Sequence, residues 1–164
     1  MKRNILITLG LVFIILLSTN ANAKDKTEEQ WKYDIECAGI GNEGTCLVKV
    51  WSYSKKGRIT VEQAKKNAVH GVLFKGFSGS RGCTAQKPLI KDPATQYDKR
   101  DYFKSFFNKD HSYLKYAAIV SETPEVVKVS KKEYKVGYII SVSKDLLRKD
   151  LESAQIIKSL GAGF

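Results

Sequence analysis

From Trp31 to Gly39 apolar and polar side chains alternate. Trp31, Tyr33, Ile35 and Cys37 fall on one side, and Lys32, Asp34 and Glu36 on the other. That is the period-two pattern of a half-buried strand. Thr45 to Ser54 repeats it with Cys46, Val48 and Val50 facing inward. Gly41-Asn42-Glu43-Gly44 between them is a turn sequence, so the two runs predict an N-terminal β-hairpin. Beyond Lys55-Lys56-Gly57-Arg58 the period changes. Thr60-Val61-Glu62-Gln63 has the form of a capping box, in which Thr60 accepts from a backbone N–H and Gln63 reaches back to the N-cap N–H. Val61, Ala64, Ala68 and Val72 continue at helical spacing to about Lys75, and Gly76 is the stop. The small residues Ala64, Ala68 and Gly71 let this helix lie close to a sheet.

Phe77 to Asp98 is long and irregular, with Gly79, Gly82, Pro88 and Pro93. Structureless loops of that length are uncommon in compact domains and are often functional. Asp98 to Lys109 predicts a short aromatic helix carrying Tyr102, Phe103, Phe106 and Phe107. Tyr113 to Val120 fits either period and is read as a strand from about Leu114 to Ser121. Glu122-Thr123-Pro124 breaks it, Glu125 to Ser130 resumes as a strand, and Tyr134 to Val142 follows after a turn at Lys131-Lys132-Glu133. Ser143 caps a final helix striped by Leu146, Leu147, Asp150 at the edge, Leu151, Ala154 and Ile157, which Gly161 and Gly163 end. This order lacks regular βαβ alternation. It predicts an α+β fold, with antiparallel hairpins forming a sheet and two or three helices packed against it.

Met1 to Ala23 has a different character from the rest of the chain. Lys2 and Arg3, the apolar run Ile5 to Leu17 and the small residues Ala21-Asn22-Ala23 have the layout of a secretory signal peptide. Cleavage is expected there, with a retained anchor as the alternative. Residues 24–30 are then a polar, mobile stretch, and 31–164 a single domain. A length of 164 residues excludes a large multidomain enzyme. Burying roughly 70% of its unfolded surface, a chain of this size needs no metal or disulfide staple to fold. No other run approaches the ~20 apolar residues of a membrane span, so a soluble periplasmic or secreted protein is expected. Net charge is +11; removing Lys2 and Arg3 with the leader leaves +9.

Export leads to an oxidising space in which disulfides persist. Cys37, Cys46 and Cys83 are an odd set. A hairpin loop of Ile40 to Glu43 would set Cys37 opposite Cys46 as a candidate bridge, whereas a tight turn at Asn42-Glu43 would set Cys37 opposite Val48. Both registers keep the apolar faces together, so the pattern does not choose. Cys83, in the glycine-rich loop, is the candidate free thiol.

The hairpin, the helix with Ala64-x-x-x-Ala68 and Val72, the Tyr134-x-Val136 strand and the step Val142-Ser143-Lys144-Asp145-Leu146 into a closing helix form one pattern. It resembles the small α+β envelope domain of flagellar H-ring T proteins (FlgT-like) and related small outer-membrane lipoproteins, over about half of the mature chain. The chain departs from the lipoprotein members in having no acceptor Cys at the cleavage point. The resemblance implies a non-catalytic assembly or docking domain and offers no catalytic residue to carry over.

Candidate chemistry is sparse. His70 and His111 stand in no His-x-x-His, Cys-x-x-Cys or His-Glu-x-x-His motif, so no metal and no cofactor are expected. A Cys83–His70 thiol–imidazole couple needs the two within hydrogen-bond reach. Gly76 to Gly82 follows a helix rather than opening one and contains no Gly-Lys-Ser/Thr, unlike a phosphate loop. Asp92, Asp98, Asp101 and Asp110 surround the aromatic helix and would serve a glycosidase only at a defined separation across a cleft. The lysine clusters favour anionic lipid head groups, glycans or acidic proteins over nucleic acid in that compartment. The leading expectation is an exported, non-catalytic binding module docking on an envelope protein through Arg81, Lys91, Tyr97, Arg100, Tyr102, Lys104 and Phe106. The alternative is a small hydrolase or ligand-binding protein with a cleft beside the 77–98 loop.

Overall fold

The hairpin pattern at the N-terminus becomes strands β1 (Tyr33–Gly39) and β2 (Cys46–Ser54), paired antiparallel. In the computed structural model the described residues are 31–80 and 82–159. The leader, the 24–30 stretch, Arg81 and the closing glycines lie outside them. Cys37 stands opposite Val48, the tight-turn register, and a bulge between Cys37 and Gly39 takes up the extra residue of the longer loop. The aliphatic strand of the second half, β5 (Glu133–Val142), pairs with β2 along its whole length. Its other side is shared by two short strands, β3 (Ala117–Ile119) against Ile140–Val142 and β4 (Glu125–Ser130) against Glu133–Gly137. Glu122-Thr123-Pro124 makes the expected break between them. The result is a five-stranded antiparallel sheet, an α+β architecture.

Residues opposite one another on β1, β2 and β5 form layers such as Tyr33–Ser52–Val136 and Cys37–Val48–Ile140. These layers are the covered face of the sheet. Helix α1 (Val61–His70) lies on it, with Ala64, Ala68 and Val69 buried. Thr60 Oγ1 accepts from the Gln63 N–H at 3.1 Å, the expected N-cap. Gln63 does not complete the box. Its amide donates instead to Asn67 Oδ1, and Asn67 donates to Ser52 Oγ at 2.8 Å. This chain satisfies the buried polar groups where α1 meets β2. The opposite face carries Trp51 and Tyr53, hydrogen-bonded to Glu36 and Asp34. Trp51 lies flat across Gly137, where a Cβ would come within 2.7 Å of the ring.

Four helices are described. After α1 come α2 (Pro93–Asp98), α3 (Arg100–Lys104) and α4 (Lys144–Ser153). Asp92 caps α2, its carboxylate accepting from the Ala94 N–H at 2.9 Å, while α3 with the aromatic residues starts after Lys99 without a side-chain cap. Both α1 and α3 end in a widened π-turn, Gly71–Lys75 and Ser105–Lys109. The strand expected from Leu114 starts later. Ser112–Tyr116 is a 3₁₀ turn that turns the rings of Tyr113 and Tyr116 into the core. Ser143 makes no side-chain cap; its N–H donates to the Tyr116 carbonyl.

Candidate functional site

The 77–98 segment is not structureless. The π-turn Gly71–Lys75 closes with the Gly76 N–H on the Gly71 carbonyl at 2.8 Å, so the carbonyls of Val72 and Leu73 are free to accept from elsewhere. The N–H groups of Leu89 and Ile90 supply that partner at 3.1 and 2.9 Å. Between these anchors the chain makes a small hairpin, with Phe77 and Gln86 exchanging two backbone bonds and Ser80 and Cys83 two more. Gly76, at φ 66°, starts it. A Cβ there would fall 2.3 Å from the Gln86 carbonyl oxygen, so only glycine fits.

A disulfide fastens this hairpin to the sheet, and its partners differ from those expected. Cys83 is bonded to Cys37 on β1, and Cys46 is the free thiol. The hairpin register explains the correction. Cys37 is opposite Val48 rather than Cys46, while the loop returns Cys83 to the end of β1. Burial pushes the Cys46 thiol up to about 11, so it is a poor nucleophile as well as half-buried.

Between β1 and the hairpin lies an open groove of about 520 Å³. Tyr33, Ile35, Lys75, Phe77, Gln86 and Lys87 line it. Lys75 Nζ donates to the Tyr33 carbonyl at 3.1 Å and lies 3.7 Å over the Tyr33 ring. Burial pulls its pKa down against the attraction of Asp34. Asp34 itself is held below the usual carboxylate range by its hydrogen bond from Lys135.

A second groove of about 480 Å³ lies beside α3 and α4. Its walls include Tyr102, Phe106, Asp110, Lys115, Tyr116 and Asp150. Asp150 accepts from Lys115 Nζ at 2.8 Å and from Tyr116 Oη at 2.7 Å, and the lysine bond holds it ionised. Asp110 accepts from Ser105 Oγ at 2.7 Å.

The expected surface residues separate. Tyr97 is 72% exposed with the Arg100 guanidinium 5.7 Å from its ring, and Lys91 and Lys104 are exposed. Tyr102 is half-buried at the second groove. Phe106 is 4% exposed and belongs to the core, so its inclusion as a surface contact is corrected. The π-turn rotates the helix face there, and Phe106 and Phe107 both point inward. His70 is buried in an aromatic box, stacked 3.7 Å from Trp31, with Nδ1 2.6 Å from Tyr33 Oη. With Cys83 in a disulfide, the thiol–imidazole couple is ruled out. Among the described residues no cluster of three His, Cys, Asp or Glu could hold a metal ion. A cleft beside the 77–98 loop is expected from the sequence; what sequence reasoning missed is its lining from β1 and from the end of the first helix, Tyr33, Ile35 and Lys75.

Comparison with family models finds no match, and neither the curated proteins nor the solved structures contain one. The functional reading rests on the chain's own geometry.

Proposed function

We propose that this chain is an exported, non-catalytic binding module of the cell envelope. It docks on a partner protein through the groove between β1 and the Phe77–Gln86 hairpin. The observation that carries the reading is the Cys37–Cys83 disulfide. A bridge of that kind persists where thiols are oxidised, in keeping with the signal-peptide pattern of the leader. It also holds the loop against the sheet edge before any partner arrives, which lowers the ordering cost of binding. Tyr97 with Arg100, and Lys91 and Lys104, remain exposed as further contacts. A hydrolase finds less support. Cys83 is held in a disulfide, and the Asp150 and Asp110 carboxylates of the second groove are engaged by Lys115 and Tyr116 and by Ser105.

The test is photo-crosslinking in living cells, with the reactive residue in place of Ser78 in the groove or Thr123 between β3 and β4. The expected outcome is a discrete adduct with an envelope protein from position 78 and none from 123. Recovery of the chain only among cytosolic proteins, or no adduct from position 78, would contradict the reading.

A further inference from the structure

We infer that the groove takes an extended, acidic segment of the partner, which adds to the edge of β1 as a further strand and sets its carboxylates against Lys75 and Lys87. This rests on the docking reading above and names the chemistry of what docks. β1 is an edge strand of the sheet. The Tyr53 N–H donates to the Lys32 carbonyl at 3.3 Å, so the backbone groups of Lys32 face β2. In an antiparallel pair those groups alternate sides along the strand. The N–H and C=O of Tyr33 and Ile35 therefore face away from the sheet, and both residues line the groove. The ammonium of Lys75 on the Tyr33 carbonyl marks the same direction. Open strand edges of this kind are where extended peptides add by main-chain hydrogen bonding.

Charge selects the occupant. The one carboxylate lining the groove, Asp34, is already engaged by Lys135 Nζ at 2.6 Å and Tyr53 Oη at 2.9 Å. Neither Lys75 nor Lys87 forms an ion pair among the described residues. Two ammonium groups thus flank an edge on which the Tyr33 carbonyl holds Lys75 and the N–H and C=O of Ile35 have no partner among the described residues, and acidic side chains on an incoming strand complement both.

The experiment titrates the purified, oxidised chain, labelled for amide NMR, with acetyl-Glu-Val-Glu-Val-Glu-Val-Glu-amide. The same peptide with glutamine for glutamate is the control. The glutamate peptide is expected to bind at least about tenfold more tightly, the worth of a charge-assisted hydrogen bond. It should also slow hydrogen exchange at the amides of Tyr33 and Ile35. The double variant K75M/K87M should lose the preference, and K128M on the other edge should keep it. Equal affinities, unslowed amides, or a preference that survives K75M/K87M would overturn the inference. So would slowed amides in a dimeric chain without peptide, which would make a second copy the occupant. Displacement of the peptide by vesicles of anionic phospholipid that leave these amides unprotected would likewise overturn it in favour of a lipid surface. The two readings fail separately. If K75M/K87M is still crosslinked from position 78, docking stands and the acidic strand does not. If the unaltered chain gives no adduct, docking itself fails.

Discussion

His70 carries the sharpest residue-scale consequence. Its ring is packed against Trp31, Phe74 and Phe107, and Nε2 has no hydrogen-bond partner among the described residues. Burial first, then Lys75 and Lys66, lower its pKa from 6.5 to about 3. The folded chain therefore keeps the imidazole neutral where the unfolded chain protonates it. Stability from this group is complete above about pH 6.5 and falls as pH drops towards 3, at up to roughly 1.4 kcal/mol per pH unit. Urea unfolding at pH 7, 5.5 and 4.5 should show this decline, and His70→Phe should flatten it over that window. An unchanged slope would remove the buried neutral imidazole from the account. No local pattern pointed to this role, since His70 reads from sequence as an ordinary helical residue. Its burial depends on Trp31 and Phe107, distant in sequence from it and from each other.

At the scale of elements, periodicity made β1, β2, β4, β5 and α1 readable from sequence. All but β4 put their main apolar set on one face over several residues, β4 having Val126 and Val127 on opposite faces, and Thr60, Gly76 and Glu122-Thr123-Pro124 punctuate them. The aromatic segment was less readable because a π-turn has no apolar period of its own, so Phe106 was placed outside when it packs inside. The strand read from Leu114 starts too early because Tyr113 to Val120 fits either period, and the 3₁₀ turn Ser112–Tyr116 brings Tyr113 and Tyr116, three apart, to one side. The disulfide was missed because Cys37 and Cys46 flank a turn. The bulge at β1 and the return of the 77–86 hairpin depend on tertiary contacts. A 46-residue separation between Cys37 and Cys83 sets the size of the effect. Closing that loop stabilises the fold by up to about 4 kcal/mol. The double variant C37S/C83S is expected to lose about 2–4 kcal/mol in denaturant titration and to free the hairpin. A loss under about 1 kcal/mol would mean that the loop holds its place through the Leu89 and Ile90 backbone bonds alone.

For the whole molecule, the covered face of the sheet builds the core, and the two sheet edges differ. At one edge, β1 faces a groove whose far wall is bonded to it. At the other, β4 is short, with Val126, Val127 and Val129 exposed and Lys128 among them. The charged Lys128 on that edge discourages indiscriminate pairing there. The proposed docking role ties export, oxidation and the groove together: it requires Cys37 and Cys83 to pair outside the reducing cytoplasm, and that bond fastens the loop to β1. Mapping the thiols of the chain taken directly from cells into an alkylating quench tests it most directly. Peptide mass spectrometry should find Cys37 linked to Cys83, with Cys46 alone alkylated once the chain is denatured. Three alkylated cysteines, or a link between Cys37 and Cys46, would contradict the account.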